Sequence, residues 1–261
     1  MAFEETIQRL FPTTEELALA AKGYAYFVMD LMRRQRRFER ERTYPAKSYA
    51  EASQEVYMDQ EYMASQYLPG LLLSHFLWPH HHRHAAFFES AFVAQMQPYQ
   101  GVRFAEVGVG TGLYSRRLLQ RLPSAHGVGF DISPTSKSFT EAHIRAFELH
   151  DRYETLLQDV VADPMQPCEW LICIEVLEHL EDPVAFLNAL REALSPGGKA
   201  FVTAALNAGH VDHIYLYERV EDVLAHLHEA SFTVEQGFFA NAYKPSTPGL
   251  PVPAVAAFVV S

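Results

Sequence analysis

Three glycines at alternate positions follow a short apolar run that begins near residue 103. They are Gly108, Gly110 and Gly112, and the carboxylate of Glu106 lies two residues before the first of them. Glycine lets a ligand lie directly on the backbone, and a helix that starts after such a loop presents free N–H groups to electron-rich ligand atoms. A carboxylate just before the loop would repel a pyrophosphate and attract an amine. The pattern therefore predicts a site for an amine-bearing ligand.

The spacing of these glycines argues against a dinucleotide. The dinucleotide fingerprint is G-x-G-x-x-G/A, whereas the third glycine here comes one residue early and Leu113 stands where that fingerprint needs a small residue. An NAD-dependent oxidoreductase is therefore disfavoured.

Three further short motifs follow the glycine loop, each directly after a predicted strand. They are Phe130-Asp131-Ile132, Gln158-Asp159-Val160 and Ile174-Glu175-Val176-Leu177-Glu178-His179. Together with the glycine loop, they resemble the motifs of the class I S-adenosylmethionine (SAM)-dependent methyltransferases, over residues 102–260. The resemblance implies that the chain binds SAM and releases S-adenosylhomocysteine (SAH).

The resemblance also implies roles for individual residues. In the family, the position of Asp131 holds the ribose hydroxyls, that of Asp159 receives the adenine amine, and that of Val160 lies beside the adenine ring. The Asn/Asp-Pro-Pro-aromatic motif of base-modifying N-methyltransferases is absent from the sequence. The full set of cofactor-binding residues implied is Glu106, Gly108, Gly110, Gly112, Asp131, Ile132, Asp159, Val160 and Glu175.

The elements that must position these residues follow from the hydrophobic pattern. From residue 102 onward, short aliphatic runs alternate with amphipathic segments, which indicates a mostly parallel sheet covered by helices on both faces. The sequence Ser-Pro-Gly-Gly at 195–198 predicts a turn before the fifth strand. The last two strands, predicted at 232–240 and 254–260, have no helix between them, which favours an antiparallel pair. We predict an α/β fold, and the resemblance implies a Rossmann-like sheet of seven strands.

The first hundred residues have helical periodicity instead. Thr13 and Glu16 form a capping-box pattern at the start of a long helix. We predict a helical cap over residues 1–98, a SAM-binding domain over 99–261 and a lid insertion over 207–230. In the resembling family, such N-terminal helices close over the site and shape the specificity for the methyl acceptor.

Composition limits the partners and the compartment. The 261 residues include 32 acidic and 21 basic side chains, for a net charge of -11, so nucleic acid has no general electrostatic reason to bind. No apolar run approaches the roughly 20 residues that cross a bilayer, and the 2 cysteines are too few for a disulfide framework. We predict a cytoplasmic protein that acts on a small molecule, without nucleic acid or membrane. A homodimer is an open alternative to the monomer.

Histidines are concentrated where the methyl acceptor would bind. His179 follows the fourth predicted strand, and His210 and His213 lie after the fifth. Methyl transfer is an in-line displacement, and an imidazole titrating near neutrality is a natural base for the acceptor proton. We predict His179 as this base, with His213 as the second candidate; a metal ion on His179, His210 and His213 is the alternative. The predicted acceptor contacts are Tyr67, Trp78, His210 and Tyr217.

A second group of histidines lies upstream, in the run His80-His81-His82-Arg83-His84. It is predicted as a surface loop, and binding of an acidic acceptor is the alternative.

The sequence therefore predicts an enzyme that transfers a methyl group from SAM to an O, C or N atom of a small, partly aromatic or apolar metabolite. The expected setting is bacterial specialised metabolism. A catalytically degenerate SAM-binding regulatory or scaffold subunit, pairing with a partner through residues 1–98, is the alternative. The presence of Glu106, Asp131 and His179 favours the enzyme.

Overall fold

A seven-stranded sheet forms the centre of the protein. The computed structural model describes residues 2–45, 47–245, 247 and 249–261. The strands are β1 (Arg103–Val107), β2 (His126–Asp131), β3 (Tyr153–Leu157), β4 (Cys168–Cys173), β5 (Leu194–Leu206), β6 (Val234–Asn241) and β7 (Ala254–Val260). Their order across the sheet is β3-β2-β1-β4-β5-β7-β6.

The pairing of the strands confirms the predicted fold class. Strands β1 to β5 pair in parallel with one another, whereas β7 runs antiparallel to both β5 and β6. The protein therefore has the Rossmann-like, mostly parallel sheet with an antiparallel C-terminal pair that the sequence and its resemblance predicted.

One local prediction, the turn at 195–198, is wrong. Leu194 already pairs with Cys168 of β4, and the register between these strands then shifts before Trp170 pairs with Lys199. Gly197 takes a left-handed φ of 79° inside this irregularity. Residues 195–198 thus form a bulge within β5, because Leu194 and Lys199, on either side of them, both pair with β4.

Within the described part of residues 2–102, every regular element is helical. These elements are α1 (Ala2–Leu10), α2 (Thr14–Glu41), α3 (Tyr49–Ala52), α4 (Gln60–Tyr62), α5 (Leu68–Leu77), α6 (Pro79–Phe87) and α7 (Ala94–Met96), with π-helical turns at Ser53–Tyr57, Met63–Tyr67 and Phe88–Val93. The predicted capping box is confirmed: the Thr13 hydroxyl accepts the N–H of Glu16, and the Glu16 carboxylate accepts the N–H of Thr13. In the part of the chain that the structure describes, no helix combines the length and apolar character needed to cross a bilayer.

The end of this helical region packs directly on the sheet. Phe88 and Phe92 are fully buried and share one core cluster with Phe104 of β1 and Phe201 of β5. The rings of Phe88 and Phe201 are 5.1 Å apart in an edge-to-face arrangement. The boundary at residue 98 therefore separates two types of element but not two hydrophobic cores.

Four more helices complete the two outer layers: α8 (Leu113–Arg121), α9 (Pro134–Ala146), α10 (Pro183–Ala193) and α11 (Val220–Glu229). On one face of the sheet, Leu118 of α8 shares a core cluster with Phe104 of β1. On the other face, Leu187 of α10 shares a core cluster with Ala105, the next residue of β1. Alternate residues of a strand point to opposite faces, so nearly continuous apolar strands bury both.

The predicted lid at 207–230 divides into two parts. Val223 and Leu227 of α11 are fully buried in the core, so this helix belongs to the same layer as α10 and is not part of a lid. The loop between β5 and α11, residues 207–219, is the part that reaches the candidate site.

Candidate active site

A cavity of about 640 Å³ lies where the parallel strands end. This edge, beyond the carboxyl ends of the strands, is where open α/β sheets bind ligands. Its wall combines the glycine loop, the end of β2, the segment after β4, the loop after β5 and the N-terminal helices. The wall residues that bear on function are Gly108, Gly110, Asp131, Ile132, Glu175, His179, His210, His213, Phe27, Tyr57, Tyr67, His75, Trp78, His80 and His81.

The glycine loop needs glycine for its backbone and for the space around it. Gly108 and Gly110 have φ values of 76° and 50°, a left-handed region that strains a residue with a β-carbon. A β-carbon on Gly108 would also lie 2.5 Å from Cγ2 of Val176, another wall residue. Gly108 and Gly110 therefore present bare backbone to the cavity.

Asp131 brings a carboxylate into the cavity from the end of β2. Its Oδ1 accepts the N–H of Ser133 at 2.8 Å, and its Oδ2 accepts the N–H of Gly110 at 3.2 Å. Burial raises the pKa of Asp131 to about 6, against the opposing effect of these backbone donors. The carboxylate is thus fixed in place by main-chain groups and can accept hydrogen bonds from ligand hydroxyls.

Glu106, in contrast, does not line the cavity. Its side chain is 2% exposed and accepts hydrogen bonds from the hydroxyls of Ser115 and Tyr153. Burial raises the pKa of Glu106 to about 7. The prediction that Glu106 contacts the ligand amine needs correction in this geometry, because both hydroxyls hold the carboxyl group between β1, α8 and β3.

Two other predicted cofactor residues do line the cavity, Ile132 and Glu175. Glu175 has a left-handed φ of 50°, and its N–H donates to Oγ1 of Thr203 at 2.9 Å. Burial raises the pKa of Glu175 to about 7. The strained backbone turns this carboxyl group toward the cavity directly after β4.

Besides Glu106, three predicted cofactor residues lie outside the cavity wall. A β-carbon on Gly112 would meet the methyl group of Thr140 at 2.8 Å, so this glycine allows α9 to pack closely. Asp159 is exposed and accepts backbone N–H groups of its own turn after β3, while Val160 is buried in the core. Burial, with the charges of Asp159 and Asp131, raises the pKa of Tyr49 in the cavity wall to about 12. Asp159 is therefore near the cavity without forming its surface.

The predicted catalytic histidines meet in the cavity. The ring centroids of His179 and His213 are 4.9 Å apart, and those of His210 and His213 are 5.3 Å apart. Nδ1 of His179 lies 3.2 Å from the backbone oxygen of Asp212, and Nδ1 of His213 lies 2.8 Å from that of Ala208. A carbonyl oxygen only accepts, so both Nδ1 atoms donate and both Nε2 atoms keep a free lone pair. Burial and the two neighbouring imidazoles hold the pKa of His213 well below its usual value.

Asp212 organises this group, although the sequence pattern predicted no role for it. Its carboxylate is fully buried and accepts hydrogen bonds from His210 at 2.5 Å, Tyr57 at 3.0 Å and Tyr67 at 2.9 Å. Burial alone would raise the pKa of Asp212, but the imidazoles of His179 and His210 outweigh it and hold the pKa well below its usual value. The signal available in the sequence was an acidic residue between two histidines.

One predicted acceptor contact is wrong. Tyr217 is fully buried, and its hydroxyl lies 2.9 Å from Nδ1 of His226 on α11. The N–H of Asn207 donates to the backbone oxygen of Tyr217 at 3.0 Å, which closes the loop and returns Tyr217 to the core. The other three predicted contacts line the cavity: Tyr67, Trp78 and His210.

Two groups of side chains bring three potential metal ligands within 4.8 Å of one another. They are Glu178 with His179 and His213, and Asp212 with His210 and His213. In the second group, the Asp212 carboxylate is already taken by three hydrogen bonds. His179 and His210, which the predicted metal alternative placed on one ion, do not share a group among the described residues.

The upstream histidines are not the surface loop that the sequence predicted. They lie on α6, where His80, His81 and His84 are at most 7% exposed and only His82 faces solvent. The helix starts directly before this run, so its inward face carries these three side chains together. His80 and His81 line the cavity beside His75 of α5.

Comparison with known proteins agrees with this architecture. Residues 105–200 match the family model described as a methyltransferase domain. The chain is 30% identical over 113 residues to a ubiquinone biosynthesis O-methyltransferase of Xylella fastidiosa, covering 43% of this chain and 45% of that protein. It is 33% identical over 110 residues to one of Cereibacter sphaeroides, covering 42% and 43%. The match thus spans less than half the length of these relatives.

Solved structures share the fold at low sequence identity. A SAM-dependent methyltransferase from Geobacter sulfurreducens in complex with SAH superposes with a TM-score of 0.52 at 13% identity, covering 66% of this chain and 89% of that one. The [4+2]-cyclase SpnF superposes with a TM-score of 0.55 at 18% identity, covering 69% and 80%. Because one of these two proteins is a cyclase, the fold alone does not fix the reaction.

Proposed function

We propose that this chain, which belongs to the class I SAM-dependent methyltransferases, is an enzyme that transfers the methyl group of SAM to an O, C or N atom of a small molecule. The observation that carries the proposal is one continuous cavity wall. Asp131 and the glycine loop line part of it, and His179 and His213 line another part. The proposed cofactor site and the proposed proton acceptors therefore face the same cavity.

The residues of the wall fit SAM. Gly108 and Gly110 leave room for a ligand on the backbone, and the Asp131 carboxylate suits the two ribose hydroxyls. When bound, SAM supplies a methyl group on a positively charged sulfur atom. A cation beside Asp131 and Glu175 favours their ionised forms, which offsets the effect of burial on both pKa values.

His179 is the proposed base for an acceptor that must lose a proton. Its Nδ1–H donates to the Asp212 backbone oxygen, so the ring is oriented and Nε2 is free to accept the proton. His213 is held in the same way by Ala208 and is the second candidate. The N-terminal helices exclude water from the site and help to align the acceptor with the transferred methyl group.

The wall favours an acceptor that is partly aromatic or apolar. Phe27, Met63, Leu71 and Trp78 all line the cavity. The two relatives carry the name ubiquinone biosynthesis O-methyltransferase, which supports an oxygen atom as the acceptor. A place in bacterial specialised metabolism and a homodimer stay predictions.

Two measurements test the proposal. Calorimetry should show one SAH site per chain, and labelled SAM incubated with the protein and extracts of its own host should yield a labelled small molecule. Binding without any labelled product, across extracts from several growth conditions, would favour the degenerate scaffold subunit. Absence of SAH binding would contradict the proposal itself.

A further inference from the structure

A second group of imidazoles lines the cavity, and the proposed reaction does not use it. This α5–α6 histidine cluster consists of His75, His80 and His81, each at most 7% exposed. The ring centroids of His75 and His81 are 4.6 Å apart, and those of His80 and His81 are 4.2 Å apart. The indole ring of Trp78 lies 5.1 Å from His81. The cluster is therefore a compact polar patch in a mostly apolar wall.

Two of these side chains lack the partners that buried polar groups require. The Nδ1 atoms of His75 and His80 are buried and have no hydrogen-bond partner among the described residues. Buried polar atoms in folded proteins are nearly always paired with protein, water or ligand. Both side chains line the cavity, but the two Nδ1 atoms are closed to solvent, so a bound group can pair only with the Nε2 side of each ring.

The third side chain has a defined proton position. The hydroxyl of Ser74 donates its proton to the backbone oxygen of Leu71 at 2.7 Å, so Oγ of Ser74 accepts a hydrogen bond from Nδ1 of His81 at 3.2 Å. Nε2 of His81 therefore carries no proton and acts as an acceptor. The cluster thus presents an acceptor next to two imidazoles that are free to donate.

The cluster is uncharged near neutral pH. Burial lowers the pKa of His75 to about 3 and that of His80 to about 4, and it holds the pKa of His81 well below its usual value. Arg117, whose charge contributes to the shift at His75, is itself paired with Glu89 at 2.8 Å. An anionic group would find no positive charge in the cluster to offset its desolvation.

Aromatic rings connect this cluster to the proposed catalytic histidines. The ring of His210 lies 5.6 Å from Phe27, Phe27 stacks on Trp78 at 6.2 Å, and Trp78 contacts His81. A molecule lying along this wall would place its body against Phe27 and Trp78. One end would reach the His210 side of the cavity and the other the α5–α6 histidine cluster.

We propose that the α5–α6 histidine cluster is a subsite for a hydroxyl group of the methyl acceptor, remote from the atom that is methylated. A hydroxyl can donate to Nε2 of His81 and accept an N–H from His75 or His80. A carboxylate only accepts, and a purely apolar group would leave the imidazole nitrogens unpaired. Among the described residues, the cluster is not a group whose ligand atoms lie close enough for one metal ion. The inference rests on the proposed function and names its acceptor class: a hydroxylated molecule with an aromatic or apolar body.

The test uses the full-length protein saturated with SAH and three probes of similar size: phenol, toluene and benzoate. Titrations are followed through the ring nitrogen signals of labelled histidine, assigned by single variants. We expect phenol to bind about fivefold more tightly than toluene, as one net hydrogen bond allows, and to shift the signals of the cluster. Benzoate should bind no more tightly than toluene. These comparisons use the wild-type protein and do not depend on the folding of any variant.

Variants separate this subsite from the rest of the cavity. His81→Phe keeps a ring but removes the acceptor, so it should abolish the preference for phenol while the SAH affinity stays within about twofold. His82→Phe changes an exposed neighbour on the same helix and should keep the preference.

Several results would overturn the inference: equal affinities for phenol and toluene, a preference for benzoate, or an unchanged phenol preference in His81→Phe. A loss of more than about tenfold in SAH affinity in His81→Phe would assign the cluster to the cofactor instead. SAH titration of the wild-type protein comes first, because a protein that does not bind SAH overturns the proposed function. Normal SAH binding without a phenol preference overturns the subsite alone.

Discussion

The hydroxyl of Tyr67 donates a 2.9 Å hydrogen bond to the carboxylate of Asp212, although the two residues are 145 positions apart in the sequence. Tyr67 belongs to the N-terminal helices, and Asp212 lies in the loop after β5. Tyr57 donates to the same oxygen at 3.0 Å. The carboxylate therefore joins the helical region to the loop that carries His210 and His213.

The first prediction concerns this carboxylate. Asp212→Asn keeps the size of the side chain but removes the charge that orients His210 and stabilises nearby imidazolium, so kcat should fall by about tenfold to a hundredfold. The SAH affinity should stay within about twofold, because Asp212 is not among the residues that line the cavity. Steady-state rates and calorimetry on the same preparation measure the two effects.

Tyr57→Phe and Tyr67→Phe are the matched controls for this change. Each removes one donor and leaves the other on the same oxygen, so each should lower kcat less than Asp212→Asn does. The double variant Tyr57→Phe/Tyr67→Phe should lower kcat nearly as much as Asp212→Asn does. A fully active Asp212→Asn enzyme would contradict the positioning role.

The second prediction concerns cofactor binding. Asp131→Ala removes a carboxylate that is fixed at the cavity wall by Gly110 and Ser133. SAH binding should weaken by about 2 kcal/mol, more than tenfold, because charge-assisted hydrogen bonds to the ribose are lost. Calorimetry measures the dissociation constant, and thermal unfolding checks that the variant is folded.

Asp159→Ala provides the comparison for Asp131. Its carboxylate is exposed and, among the described residues, accepts hydrogen bonds from backbone N–H groups of its own turn, so the SAH affinity should change by less than about threefold. A larger effect at Asp159 than at Asp131 would reverse the assignment of the cofactor contacts.

The parts of the site that could be predicted from the sequence are those that local chain geometry determines. The glycine loop and Asp131 each follow directly from a strand that ends at the cavity, so their motifs and their positions agree. Glu106 shows the limit of this reasoning, because its orientation depends on Ser115 and Tyr153 from other elements. A motif gives the place of a residue along the strand, but tertiary packing decides what the side chain contacts.

The parts that could not be predicted depend on long-range packing. Asp212 acquires its role from tyrosines about 150 positions upstream, and no local pattern reports such a contact. Tyr217 was expected in the cavity because it follows the histidines, but the closed loop after β5 returns it to the core. His80 and His81 were expected on a loop, and the helix that starts before them turns both inward.

The third prediction concerns proton removal. If His179 is the base, His179→Ala should lower kcat by about a hundredfold while SAH affinity stays within about twofold. Steady-state rates at saturating SAM and calorimetry with SAH measure the two effects.

The alternative, a metal ion bound by one of the two ligand groups that include His213, leads to a different prediction. Chelation would then abolish activity, a divalent ion would restore it, and elemental analysis would find about one ion per chain. A fully active, metal-free His179→Ala enzyme would leave alignment of the acceptor as the source of catalysis.

The last prediction concerns stability and His84, which is fully buried and stacks on Phe201 at 5.7 Å. Burial lowers the pKa of His84 from 6.5 to about 3, so below pH 6.5 the unfolded chain takes up a proton that the folded protein excludes. This term destabilises the fold progressively as the pH falls toward 3, and between pH 7 and pH 5 it amounts to about 2 kcal/mol. His84→Phe removes the titrating group. Between pH 7 and pH 5, the free energy of unfolding of the variant should therefore decrease by about 2 kcal/mol less than that of the wild type, independently of any difference in stability between the two proteins at pH 7. Urea unfolding at both pH values measures the difference, with His82→Phe, an exposed position on the same helix, expected to behave like the wild type. Equal pH dependence of the wild type and His84→Phe would mean that His84 accepts a proton inside the folded protein.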